Sequence, residues 1–166
     1  MRSCVGEPLK RSVCRSGSMD PIVLKDYSSE ASFRLLEAQA FTELCGDMVV
    51  FRTMGGMFAG PSIDLIFLGL RYFELPNHLT GVRVFKSRDE QALVFGRSFN
   101  PKGTNEFCDR VFAVESRGKR FHVVGAKCWV FKYAKPQRGS AVSALNDLAR
   151  RDAYIEREVN VWYAVE

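Results

Sequence analysis

Residues 110–133 read RVFAVESRGKRFHVVGAKCWVFKY, and this stretch decides the fold class. The runs 110–115 and 120–124 flank Ser116-Arg117-Gly118-Lys119, a polar glycine-containing turn, which is the signature of a β-hairpin. A third run follows with almost no linker, in which Trp129, Phe131 and Tyr133 alternate with Cys128, Val130 and Lys132. Side chains alternate across a strand with a period of two, so all three aromatics fall on one face.

Upstream, residues 48–53 form a short apolar run that ends at the Gly55-Gly56 loop. Residues 63–70 are apolar on both faces, as expected of a central strand. Pro76 and Asn77 then break the chain. Residues 82–86 and 92–97 flank the polar turn 87–90, which predicts a second hairpin, and residues 100–103 mark a further loop.

Two segments predict helices. Ser28 or Ser29 offers an N-cap with Glu30 in the first turn, Phe33, Leu36, Ala40, Phe41 and Leu44 recur at helical spacing, and Gly46 supplies a C′ stop. Ser140 can cap a second helix running through Leu145 and Leu148 to about Arg151. In the last segment Val159, Val161, Tyr163 and Val165 alternate with Glu158, Asn160 and Trp162, a half-buried strand with its valines inward.

Together these predict an α+β chain with a curled, mostly antiparallel sheet or small β-barrel and two main helices. Residues 21–166 read as one domain. Residues 1–20 read as a disordered basic tail, whose first 18 residues carry Arg2, Lys10, Arg11 and Arg15 against Glu7, with too little apolar area to offset ordering entropy. Arg with Ser and little acid is also the composition of an organelle transit peptide, and Met19 offers an alternative start.

With 166 residues, 46% of them hydrophobic, the chain can bury a sizeable core. The longest apolar stretch already contains Asp64 and Gly69 and is too short to span a bilayer, so no membrane insertion is expected. The five cysteines are odd in number, widely spaced and free of C-x-x-C pairs, which points to a reducing, cytoplasmic setting. Cys108, His122 and Cys128 match no zinc spacing, so neither metal nor cofactor is expected.

No phosphate-binding G-x-x-x-x-G-K-S/T loop, G-x-G-x-x-G, H-E-x-x-H or G-x-S-x-G motif is present. His78 falls in a turn and His122 in a strand, and each reads as a structural or surface histidine. Asp64 interrupts an apolar strand. A buried acid there would have to be paired or neutral, but just after Pro61-Ser62 it reads first as the strand's exposed beginning. The best ligand-loop candidate is Arg52, Thr53, Gly55 and Gly56, where glycine N–H groups can nest an anion and Arg52 adds charge.

Val50-Phe51-Arg52-Thr53-Met54 before Gly55-Gly56 is similar to the V-Y-G-T-L strand and loop of the gamma-glutamylcyclotransferase-like superfamily. Leu79-Thr80-Gly81-Val82-Arg83-Val84-Phe85 resembles that family's L-x-G-Y-R-L-x-F segment. Residues 124–131, 145–149 and 154–161 echo its later strand, helix and strand in the same order. The resemblance implies a small barrel with a ligand cavity near the loop. It does not carry the reaction across, because the family's proton-transferring acid falls near Ala149, with Asp147 or Asp152 the nearest substitutes, and the loop tyrosine and glycine are replaced by Phe51 and Arg52.

The expected function is therefore binding of a small or acidic ligand, such as a small anion, near Arg52, Thr53, Gly55 and Gly56. The alternative is a module binding nucleic acid or a protein partner through a basic sheet surface, in keeping with the net charge of +5. A third is a structural subunit whose exposed Trp162 or Phe99 completes a partner's core.

Overall fold

The computed structural model describes residues 20–39, 47–53, 61–98, 110–137, 139, 141–145 and 148–166. Their order is β1 (Ile22–Leu24), β2 (Asp26–Gln39), β3 (Met48–Thr53), β4 (Ile63–Leu68), β5 (Tyr72–Phe73), β6 (His78–Lys86), α1 (Glu90–Ser98), β7 (Arg110–Ser116), β8 (Lys119–Gly125), β9 (Lys127–Tyr133), α2 (Val142–Leu145), α3 (Leu148–Glu158) and β10 (Val159–Val165). The strands form a single sheet in the order β1-β10-β9-β4-β3-β2-β6-β7-β8-β5. Every pairing is antiparallel except β1 with β10. The α+β class and the mostly antiparallel sheet thus agree with the sequence, and of the two expected helices the second has its counterpart in α2 and α3.

The sheet curls because one face of nearly every strand feeds a common core. Tyr27 and Phe33 of β2, Phe51 of β3, Phe67 of β4, Val82 and Val84 of β6, Phe112 of β7, Val123 of β8, Val130 of β9 and Val165 of β10 all pack in it. The opposite face of β3, β4 and β9 is covered as well. There Met48, Val50, Ile66, Trp129, Phe131 and Tyr133 meet Leu145 and Ile155 from α2 and α3. Burial on both faces explains why 63–70 lacks a polar alternation. Trp129, Phe131 and Tyr133 do share a face, but it is this outer one under α3, separate from the interior that holds the valines.

Three expectations need correction. The segment from Ser28 onward is not a helix over its described part but the 14-residue strand β2. It pairs with β6 through Asp26–Arg34 and with β3 through Phe33–Gln39, so its first part is held along one edge and its last part along the other, and tertiary pairing overrides the local pattern. Phe33 and Leu36, three residues apart as on a helix face, lie on opposite faces of the strand: Ala31, Phe33 and Leu35 point inward and Leu36 packs on the outer face, just before the register shifts at Glu37. Residues 40–46, including the expected Gly46 stop, lie outside the described residues.

Residues 92–97 are not the second strand of a hairpin but part of α1. Asp89 is its cap: its Oδ1 accepts the Gln91 N–H at 3.0 Å and its carbonyl accepts the Leu93 N–H at 2.9 Å. Finally, the helix expected to end near Arg151 continues to Glu158, and the register of β10 shifts between Val159 and Val161. That shift places Val159 under α3 and Val165 in the interior, so the valines of β10 do not share a face.

Ser116–Lys119 makes the expected hairpin turn, with positive φ at Arg117 (51°) and Gly118 (72°). Gly69 bends the chain between β4 and β5 at a φ of 63°. A Cβ there would stand 2.7 Å from the Cβ of Ala126, which lies between β8 and β9, so the two corners face each other at closest approach. No helix among the described residues is long and apolar enough to cross a membrane.

Candidate functional site

Arg52 and Asp64 stand opposite each other on β3 and β4, on the outer face under α3. Arg52 is 3% exposed and Asp64 fully buried. Arg52 Nε donates to Asp64 Oδ1 at 2.6 Å and Nη2 to Oδ2 at 2.7 Å, a bidentate fork. Nη1 donates to the carbonyls of Gln137 and Gly139 at 3.0 and 2.7 Å, tying down the connector that leaves β9. The Tyr133 hydroxyl donates to Asp64 Oδ2 at 2.9 Å, and the Tyr154 hydroxyl of α3 donates to Tyr133 at 3.2 Å.

The electrostatics follow from that geometry. Burial pulls the Arg52 pKa down, but the hydrogen bond and charge of Asp64 outweigh it and hold the guanidinium above its ordinary value. Burial, then the Asp64 carboxylate, push the Tyr133 phenol far up. Burial also raises Tyr154, against its hydrogen bond to Tyr133. Asp64 is therefore not the exposed start of its strand. It is a buried acid whose two oxygens are both held by partners, as a carboxyl group without solvent requires.

Of the residues expected to bind a ligand, Arg52 has four donors engaged inside the protein, so gripping an anion would require it to leave a buried ion pair. Thr53 is buried, and its hydroxyl accepts the Ile63 N–H at 3.1 Å. Gly55 and Gly56 lie outside the described residues, as does Phe99.

Two other places have the shape or charge of a site. One is a cleft of about 480 Å³ between α3 and the ends of β9 and β10. Its floor holds Trp129 and Trp162, edge to face with ring centroids 5.3 Å apart. These are the chain's two tryptophans. Lys127 Nζ lies 5.4 Å from the Trp129 ring centre, and Arg110 and Arg151 stand on the walls. Arg110 faces Glu166 at 3.8 Å and Arg151 faces Asp152 at 3.2 Å. Asp20 and Glu156 also line the cleft and have no ion-pair partner among the described residues. Trp162, expected to be exposed, is half-buried, and Trp129 is buried beneath it. The chain fold, not the alternation, brings both rings to one opening.

The other is the outer face of β6, β7 and β8. Arg83, Glu115 and Arg120 lie abreast on three adjacent strands. Arg83 bonds Asp26 at 2.9 Å and Arg120 bonds Glu115 at 2.6 Å, while both guanidiniums lie over Phe85, at 5.1 and 5.6 Å from its centre. His122 sits one row along, its backbone N–H donating to Glu74 at 2.8 Å. No group of three or more His, Cys, Asp or Glu among the described residues could hold a metal ion.

Comparison with known proteins finds no matching family model, curated sequence or solved structure. The fold and its sites define a strand-dominated α+β protein with a curled ten-stranded sheet, and function must be argued from the sites themselves.

Proposed function

We propose that this protein is a small barrel-like α+β domain that binds a small ligand bearing both an acid group and an amine, seated in the tryptophan-floored cleft. The observation that carries it is the pairing of an aromatic floor with unbalanced charges of both signs. Lys127 supplies a cation without a carboxylate partner among the described residues, Asp20 and Glu156 supply acids in the same condition, and Trp162, half-buried and edge to face with the buried Trp129, offers the body of the ligand an aromatic contact. A ligand with only an acid would leave those carboxylates facing it. One carrying both groups meets complementary charge at each end.

Closure of the sheet into a barrel belongs to the same proposal. Strands β4 and β5 run on from one another through Gly69, and β8 runs on into β9 through Ala126. The pairing of β4 with β9 therefore continues as that of β5 with β8. With β3, β2, β6 and β7 between them, these continuous strands can complete a ring around the common core. The cleft would then lie on the outside of the barrel, walled by α3.

Because both tryptophans line the cleft, intrinsic fluorescence is a native reporter. Titration with aromatic amino acids and with γ-glutamyl dipeptides should quench or shift the emission saturably and raise Tm, and Trp162→Phe should abolish most of the signal change. Binding at 100 times Kd stabilises by about 2.7 kcal/mol. Equal responses to the matching acids and amines alone, or none to any of them, would refute the proposal.

A further inference from the structure

Beyond the cleft, we infer that the outer face of β6–β7–β8 is a second binding surface, and that its partner is single-stranded nucleic acid. The face is open where it matters: α1 covers the end at Val111 and Val124, whereas Arg83 and Arg120 remain 54% and 53% exposed. Each of these arginines is held from two sides, by a carboxylate at its donor edge and by the Phe85 ring beneath it. A half-exposed guanidinium beside a ring, with its charge already matched, offers a planar surface on which a base can stack. The two reach the one Phe85 ring from strands two apart, at 5.1 and 5.6 Å from its centre.

The phosphate-binding charge lies at the two ends of this face along the strands. Lys25, Lys86 and Arg88 line a groove of about 340 Å³ at one end, and Arg117 and Lys119 line one of about 670 Å³ at the other, with Arg83 common to both. None of these five has a carboxylate partner among the described residues. From Thr80 to Lys86 the face runs roughly 20 Å at about 3.4 Å per residue. Cations without partners flanking stacking planes suit a flexible phosphate chain whose bases are splayed out. They do not suit a duplex, whose bases are not exposed to stack.

An independent feature points the same way. Arg117 is the one non-glycine residue with positive φ among the described residues, and its guanidinium turns back onto this face to donate to Thr80 Oγ1 at 3.2 Å. The first central position of such a hairpin turn is most easily filled by Asn or Gly. A strained arginine at the tip is the kind of local cost that persists at binding sites.

Fluorescence anisotropy with a labelled oligothymidine of about 12 nucleotides tests the inference. Affinity should fall between about 50 and 200 mM salt with a log–log slope near −3.5, about −0.7 for each of five phosphates. The variant K25E/K86E/R88E should flatten that slope, and R83K/R120K, which keeps both charges and removes the planar guanidiniums, should weaken the oligonucleotide about tenfold while leaving inorganic polyphosphate binding nearly unchanged. R117N should weaken binding and yet raise Tm by about 2 °C, which a merely structural arginine would not do. Absence of binding at about 50 mM salt, equal effects on polyphosphate and oligonucleotide in R83K/R120K, or stronger binding to anionic lipid vesicles than to the oligonucleotide would each overturn it.

Discussion

Arg52 and Asp64 show how one pair of residues can be misplaced by sequence and then explained by chemistry. Beside Pro61-Ser62, Asp64 resembles the polar start of a strand. In the folded chain it is at zero exposure and accepts three hydrogen bonds, two from Arg52 and one from Tyr133. The pair staples β3 to β4, and through the Gln137 and Gly139 carbonyls and Tyr154 it fastens the connector and α3. Removing one partner strands a buried charge, so Arg52→Met should cost about 3–5 kcal/mol by urea unfolding. The double variant R52M/D64L replaces both charges with apolar volume and should regain most of that loss. If the single variant costs under about 1 kcal/mol, the pair is not a staple.

At the scale of elements, β2 and the corner at Gly69 carry the lesson. The helical spacing of Phe33, Leu36 and Ala40 is real in the sequence, but so is the inward set Ala31, Phe33 and Leu35, and only pairing on both edges selects between them. The segment 92–97 runs the opposite way: 87–90 reads as a polar turn between strands, but Asp89 within it caps α1. The 110–133 hairpin and third strand were legible because turn chemistry and alternation agreed there. Gly69 needs both its positive φ and its missing Cβ, so Gly69→Ala should destabilise by roughly 1–3 kcal/mol from backbone strain alone, with the clash adding to it. Adding Ala126→Gly removes the clash but not the strain. In a double-mutant cycle the pair should therefore be less damaging than the sum of the two single changes. Strict additivity would mean that the two corners do not meet.

For the whole molecule, the buried phenols set an alkaline limit. Burial raises Tyr27, Tyr133 and Tyr154, so the folded state holds those protons more tightly than the unfolded chain does. The sign follows: their contribution is fully present below about pH 10, the unfolded value, and is lost as pH rises above it. The urea midpoint should be unchanged up to about pH 9.5 and then fall, more steeply in the native protein than in Tyr133→Phe. Identical pH profiles for the two would rule out Tyr133 as a source of that limit.

By itself, the sequence determined the strand-rich α+β class, the hairpin at Ser116–Lys119, the central position of β4 and the shared face of Trp129, Phe131 and Tyr133. These follow from alternation and turn chemistry, which act over a few residues. Tertiary structure alone decided that β2 is a strand, that Asp64 is paired, and that the aromatic ladder faces α3 rather than the inner core. It also decided that the cleft and the arginine row assemble from strands far apart in the chain. Each of these depends on which backbone edge and which face meets a distant partner, and a local pattern carries no record of that partner.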